Sequence, residues 1–115
     1  MECNLAKKNC QPCEGNMEPM NSTEITYYLS QLKNNWQLNS SSHLIKKYLF
    51  DDFNLSMKFA NKISEIADQN WHHPNLLISW GCCAVEIWTH KISGLSTSDF
   101  YLAAKIDELN LIKNS

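Results

Sequence analysis

Apolar residues recur every three or four positions in three segments of the chain, which is the period of an α-helix. Each segment follows a short polar side chain that can accept a hydrogen bond from the first helical turn. The expected N-caps, in chain order, are Asn21, Asp51 or Asp52, and Ser96. Glu24 follows the first of them at the spacing of a capping box, and this helix is expected to end near residues 34–35. The pattern therefore predicts three helices.

Two pairs of short segments, rich in aromatic, leucine and β-branched residues, lie between these helices. Residues 36–38 and 43–50 flank the polar turn NSSS, and residues 76–80 and 82–90 flank Gly81. Short polar or glycine turns of this kind join antiparallel strands, so each pair is expected to form a β-hairpin.

The predicted element order is α-β-β-α-β-β-α. We expect an α+β fold, a two-layer sandwich in which a four-stranded antiparallel sheet carries three helices on one face. Residues 1–20 have little periodicity and contain Gly15, two prolines and a CxxC sequence, so they are expected to form an irregular N-terminal tail. Residues 21–115 are expected to form one domain.

Composition narrows the class of protein. The chain has 115 residues, 43% of them apolar and 19% charged, with a formal net charge of −2. This size fits one domain, and the charge balance disfavours nucleic-acid binding. No apolar run reaches the length of a membrane span, and the N-terminus lacks the apolar core of a secretory signal. We therefore expect a cytoplasmic protein without membrane attachment, in which the five cysteines are reduced.

Cys10 and Cys13 have the spacing of half a zinc site. A structural zinc site needs four ligands, and the remaining cysteines are Cys3 and the adjacent Cys82 and Cys83. Because neighbours on a strand face opposite sides, the last two are better explained as small packing residues. We expect no metal. A metal protein that uses the CxxC sequence and the histidines is the alternative, which elemental analysis would decide.

The tandem His72-His73-Pro74 carries the strongest chemical signal. Pro74 biases His73 toward extended backbone, so the two imidazoles point in different directions. They are poorly placed to bind one metal together but can contact two parts of one small molecule. Histidine exchanges a proton near neutral pH, and nearby imidazoles disfavour each other's charged form, so the pair can hold one acid and one base. Two half-exposed loop histidines without a role would have the same sequence.

Further polar and aromatic residues could join this pair. His90 lies where the last predicted strand meets a loop, a frequent place for function, although a backbone carbonyl could also satisfy it. Asp99 could cap the last helix and orient a histidine at once, because a cap needs only one carboxylate oxygen. Asp68 lies near a helix end, where the dipole disfavours a carboxylate. Three tryptophans could wall a flat heterocycle or belong to the core: Trp71, Trp80 and Trp88.

The order and spacing of these residues resemble the pterin-4a-carbinolamine dehydratases. The resemblance rests on Asp68-x3-His72-His73-Pro74, then Trp80, Thr89-His90, Gly94-Leu95-Ser96 and Asp99-Phe100, together with the strand-to-helix junction Phe50-Asp51-Asp52-Phe53. It runs from about Ser22 to about Leu111, and the CxxC sequence is similar to the tails of several bacterial members.

The resemblance implies a lyase, 4a-hydroxytetrahydrobiopterin dehydratase, that converts the pterin carbinolamine to quinonoid dihydropterin and water. It implies no cofactor, since the pterin is the substrate. His73 is the leading candidate for the acid at the 4a-hydroxyl, and His72 and His90 would position the pterin and share the proton transfers. The residues implied to bind or orient the substrate are Asp68, Pro74, Trp80, Thr89 and Asp99.

The resemblance also implies partners. The substrate would come from an aromatic amino-acid hydroxylase such as phenylalanine hydroxylase. A sheet with open edges can pair across a two-fold axis, so a homodimer or homotetramer is expected. The alternative function is an interaction module that assists a partner protein such as a transcription regulator. Variants that lose turnover and keep partner binding would separate the two roles.

Overall fold

The fold is α+β, with three helices and a four-stranded sheet, in a computed structural model that describes residues 18–32 and 36–111. The elements are α1 (Ser22–Gln31), β1 (Gln37–Leu38), β2 (Leu44–Leu49), α2 (Phe53–Gln69), β3 (Asn75–Ser79), β4 (Cys82–Ile87) and α3 (Thr97–Leu111), with a 3₁₀ turn at His90–Ile92. The strand order is β1-β2-β4-β3, and all neighbours are antiparallel. The predicted fold class and element order are confirmed.

One face of the sheet forms the core. Every second residue of β4 is buried, and Leu44 and Tyr48 are buried on the same face of β2, since the strand period is two. The buried pairs Leu44–Ile87 and Tyr48–Cys83 lie opposite each other in the β2–β4 register. Helix α2 packs over β3 and β4, α3 packs against α2, and α1 packs against α3. The core is completed from α2 and α3 by Phe59, Ile63, Phe100 and Ile106.

The helix starts follow local hydrogen-bonding chemistry. Asn21 Oδ1 accepts from the Glu24 amide at 2.8 Å and Glu24 Oε1 accepts from the Asn21 amide at 3.0 Å, which confirms the capping box. Asp52, not Asp51, caps α2 by accepting from the Leu55 amide at 2.8 Å. Helix α1 ends at Gln31, earlier than predicted, because the backbone of the next residue is already extended.

Two strand boundaries differ from the prediction. Strand β4 ends at Ile87 rather than His90, because the amide and carbonyl of Thr89 bond those of Gly94 instead of a neighbouring strand. Strand β3 begins at Asn75, and the predicted strand residue Trp80 lies instead in the turn to β4.

The structure describes only the last residues of the predicted N-terminal tail. The predicted tail, with Cys3, Cys10 and Cys13, lies outside the described residues except for residues 18–20. Those residues lie against the loop before α3, where the Met20 amide donates to the Leu95 carbonyl at 2.9 Å. Within the described ranges, no helix has the length and apolar character needed to cross a bilayer.

Candidate functional site

The structure brings His72, His73 and His90 to one end of the sheet. The first two lie between α2 and β3, and His90 follows β4. Because β3 and β4 run antiparallel, with Asn75 opposite Glu86, the start of one strand lies beside the end of the other. The three histidines line a cleft of about 440 Å³ together with Trp71, Trp88, Thr89 and Lys91. This volume lies within the roughly 300–1,000 Å³ of small-molecule sites.

The turn that ends α2 presents the tandem histidines to this cleft. The Trp71 amide donates to the Asp68 carbonyl and the His72 amide donates to the Ala67 carbonyl, at 3.5 and 3.1 Å. These are the two hydrogen bonds of a Schellman motif, which leaves Trp71 with a left-handed backbone at φ +56°. The chain then reverses through the half-buried Pro74 into β3.

Asp99 is fully buried and uses both carboxylate oxygens. Oδ1 contacts Nε2 of His72, while Oδ2 accepts from the Ser96 amide and from the Thr89 hydroxyl, each at 2.8 Å. Thr89 has one hydroxyl proton, so the Ser96 hydroxyl must donate to Thr89 across the remaining 2.8 Å contact. The carboxylate therefore serves the first turn of α3 and His72 at the same time, and its burial is matched by hydrogen bonds.

The tandem histidines have different surroundings. The His72 side chain is 7% exposed and is held by Asp99. The His73 side chain is 61% exposed, and its Nε2 lies 3.0 Å from Oδ1 of Asp68, itself 79% exposed. The two imidazoles thus diverge, as expected for a residue before proline and its neighbour. One is rigidly placed, and the other is open to solvent and ligand.

His90 is exposed and stacks on Trp88, with ring centroids 4.1 Å apart and planes 22° apart. The ring of His43 also stacks on Trp88, at 4.0 Å and 3°. His43 Nδ1 lies 2.7 Å from Oε2 of Glu86, and this hydrogen bond holds the pKa of the Glu86 carboxyl below its ordinary value. A third of the Glu86 side chain is exposed, so this pair is partly screened by solvent.

The pterin 4 alpha carbinolamine dehydratase family model matches residues 18–109. The chain belongs to this family. A relative from Rickettsia bellii (strain OSU 85-389) is 58% identical over 107 residues, covering 93% of this chain and 95% of its own. A relative from Alkaliphilus metalliredigens is 42% identical over 105 residues, covering 91% and 95%. Both are provisionally named pterin-4-alpha-carbinolamine dehydratases, and the predicted family is confirmed.

A solved structure shares the fold of this dehydratase family member. The crystal structure named transcriptional coactivator/pterin dehydratase, from Brucella melitensis, superimposes with a TM-score of 0.74. It is 22% identical and covers 80% of this chain and 98% of its own. At this identity the likeness shows the fold.

Trp80 lies far from the histidine cleft, unlike the other residues that the family resemblance implied. It lies in the β3–β4 turn, 73% exposed, at the opposite end of that hairpin from His73 and His90. The length of β3 separates them, at about 3.3 Å per residue. The structure does not bring Trp80 to the cleft of its own chain, whereas Thr89 lines that cleft and Asp68 contacts one of its histidines.

The sequence alone did not predict that His43 stacks on Trp88, which lines the cleft, or that Glu86 holds His43. The signal that could have indicated these contacts is the strand register. Leu44 pairs with Ile87 in the antiparallel register. His43, which precedes Leu44, therefore lies opposite Trp88, which follows Ile87, and the two rings stack. Register is a tertiary property, and periodicity within one strand does not contain it.

Proposed function

We propose that this protein dehydrates a 4a-hydroxytetrahydropterin, such as 4a-hydroxytetrahydrobiopterin, to the quinonoid dihydropterin and water. The observation that carries this proposal is one cleft lined by His72, His73 and His90 in a member of the pterin carbinolamine dehydratase family. Family membership supports the class of reaction, and the cleft supplies groups that exchange protons near neutral pH.

The reaction needs two proton transfers. A proton reaches the hydroxyl on C4a, the C4a–O bond breaks, and water leaves. The nitrogen N5 loses its proton to a base, and its electron pair forms the C4a–N5 double bond. Positioned acid–base groups each contribute about 10²- to 10⁴-fold in rate. The proposed reaction uses no metal or organic cofactor, because the pterin itself is the substrate.

We assign the delivery of the proton at the 4a-hydroxyl to His73. Its exposure in the cleft supports this role, and Asp68 at 3.0 Å can orient it. A carboxylate only accepts hydrogen bonds, so the Nε2–H group of His72 donates a hydrogen bond to Asp99. This leaves Nδ1 of His72 as the nitrogen that can contact a ligand. His72 and His90 would position the pterin and share proton transfer, and Asp99, which is fully buried, is a positioning residue.

The test is a stopped-flow ultraviolet assay of a 4a-hydroxytetrahydropterin generated in place. An aromatic amino-acid hydroxylase such as phenylalanine hydroxylase can generate it, and we propose an enzyme of this type as the natural supplier. Wild-type protein is expected to accelerate the decay, and His73→Ala and His90→Ala are each expected to lose most of the turnover. Glu65→Gln, on the exposed side of α2, is the matched control. Decay at the uncatalysed rate with wild-type protein would refute the proposal.

A second candidate is an interaction module. The name of the Brucella melitensis structure includes transcriptional coactivator. Here the face of the sheet away from the helices exposes Leu49 on β2 and Leu77 on the edge strand β3, which are 71% and 72% accessible. Such surfaces suit assembly, and we propose a homodimer or homotetramer, to be measured by light scattering. If the module is the main role, His73→Ala will keep partner binding and cell function.

A further inference from the structure

The turn before the tandem histidines holds a tryptophan where the backbone favours glycine. Trp71 occupies the residue after the helix cap in the Schellman motif, with φ +56°. Glycine adopts this left-handed conformation freely, whereas a residue with a β-carbon is strained there, and a bulky one is a rare occupant.

Burial does not explain why this strain is tolerated. Trp71 is 74% exposed, and it is absent from the described residues that pack against the core. An alanine, asparagine or glycine would satisfy the same two backbone hydrogen bonds. A strained backbone with no packing gain is most often kept for function.

The place of the indole indicates that function. Trp71 lines the cleft together with His72, His73 and His90, at the side where α2 ends. A large, exposed aromatic ring next to three imidazoles suits a flat, conjugated ligand, because stacking uses the face of the ring and needs no hydrogen bond. The pyrimidine ring of a pterin is such a surface.

We infer that Trp71 is a substrate-binding residue that stacks on the ring system of the bound pterin. This inference rests on the proposed function for the identity of the ligand. The indole covers the heterocycle at the mouth of the cleft, which places C4a and N5 against the histidines and excludes water from them. The left-handed turn directs the indole to the mouth of the cleft. Because of the strain in this turn, the free energy of unfolding is lower than it would be with glycine at residue 71.

The experiment measures binding and stability separately. Binding of 7,8-dihydropterin, which has no 4a-hydroxyl to lose, is measured by isothermal titration calorimetry, and unfolding by thermal denaturation. The variants are Trp71→Gly, Trp71→Asn and Trp71→Phe. Ser42→Gly is the matched control, because Ser42 has φ +61° in the β1–β2 turn and does not line the cleft.

Trp71→Gly is expected to unfold at a higher temperature than wild type and to bind the dihydropterin roughly tenfold to a hundredfold more weakly. Trp71→Asn is expected to show the same loss of binding. Trp71→Phe is expected to bind within about threefold of wild type, since it keeps an aromatic face. Ser42→Gly is expected to raise the unfolding temperature and leave binding unchanged.

Equal dihydropterin binding by wild type and Trp71→Gly, with both folded, would overturn the inference and leave the dehydratase proposal intact. Absent turnover in wild type, with binding that still depends on Trp71, would overturn the dehydratase proposal and support the inference. A wild-type protein that neither turns over the carbinolamine nor binds the dihydropterin would overturn both.

Discussion

The buried carboxylate of Asp99 holds Nε2 of His72 with one oxygen and the start of α3 with the other. The two residues are 27 positions apart, and each is over 90% buried. We therefore expect a change at the N-terminus of α3 to alter the position of an imidazole in the cleft. This contact connects the stability of the fold with the geometry of the proposed catalytic site.

Asp99→Asn tests this connection. The amide keeps the shape but can accept with only one atom. Either the Ser96 and Thr89 contacts are lost, or the amide NH2 donates to Nε2 of His72 and forces the imidazole into the opposite tautomer. We expect a loss of about 1–3 kcal/mol in the free energy of unfolding and a drop in kcat of tenfold or more by stopped flow. Asp51→Asn is the control, since Asp51 is exposed and Asp52 supplies the cap. Wild-type turnover in Asp99→Asn would contradict the positioning role.

The pair of His43 and Glu86 predicts a pH effect. The hydrogen bond from His43 is the largest cause of the lowered pKa of Glu86, ahead of the opposing effect of burial. A carboxyl whose folded pKa is lowered stabilises the fold above its unfolded pKa. That stabilisation is lost as the pH falls through the folded pKa. In His43→Gln the pKa of Glu86 should rise toward its ordinary range, as measured by carbon-13 NMR titration of the carboxyl.

Acid unfolding gives the corresponding stability readout. The wild-type advantage over His43→Gln is expected to be present at neutral pH and to shrink as the pH falls through the folded pKa of Glu86. Asn39→Ala, which removes a weaker hydrogen bond to the same carboxyl, should shift the titration less. An unchanged Glu86 titration in His43→Gln would show that the imidazole does not hold this carboxyl.

Asp107 is the acceptor of a second polar cluster, between β2 and α3. Its carboxylate accepts from Lys46 Nζ at 2.7 Å, from Trp36 Nε1 at 2.9 Å and from the Tyr48 hydroxyl. Burial first, and then Asp107, raises the pKa of Tyr48 above its ordinary value, so the phenol stays protonated. Lys46 is 8% exposed and depends on this carboxylate for charge compensation.

We expect Asp107→Leu to destabilise the fold by about 3–5 kcal/mol, because it leaves the Lys46 ammonium nearly buried without a carboxylate. Tyr48→Phe removes one hydrogen bond and should cost about 1–3 kcal/mol. Both are measured by urea denaturation. The kcat of folded Tyr48→Phe should match wild type, because the cluster does not line the histidine cleft. Equal stability of Asp107→Leu and wild type would show that Lys46 reaches solvent.

The adjacent cysteines should differ in reactivity. Cys83 is fully buried, and burial raises the pKa of its thiol to about 11. Cys82 is partly accessible on the opposite face of β4. Because the thiolate is the reactive form, we expect maleimide to modify Cys82 at least a hundredfold faster than Cys83 in the folded protein. Peptide mapping by mass spectrometry reads each site, and equal rates in urea serve as the control.

The order of the elements could be predicted from the sequence because its causes are local. Helical and strand periods, the capping box at Asn21 and Glu24, and the turn at Gly81 each depend on a few consecutive residues. The same holds for the tandem histidines, whose divergence follows from Pro74. The family could be predicted because its motif residues occur at fixed spacings in the sequence.

Only the tertiary structure decided which distant residues meet. The contact between His72 and Asp99, the stacking of His43 on Trp88, and the end of β4 before Thr89 each depend on packing between elements. The distance of Trp80 from the cleft depends on the length of β3. Local sequence sets the period of each element, whereas strand register and helix packing are determined by how all the apolar faces are buried together.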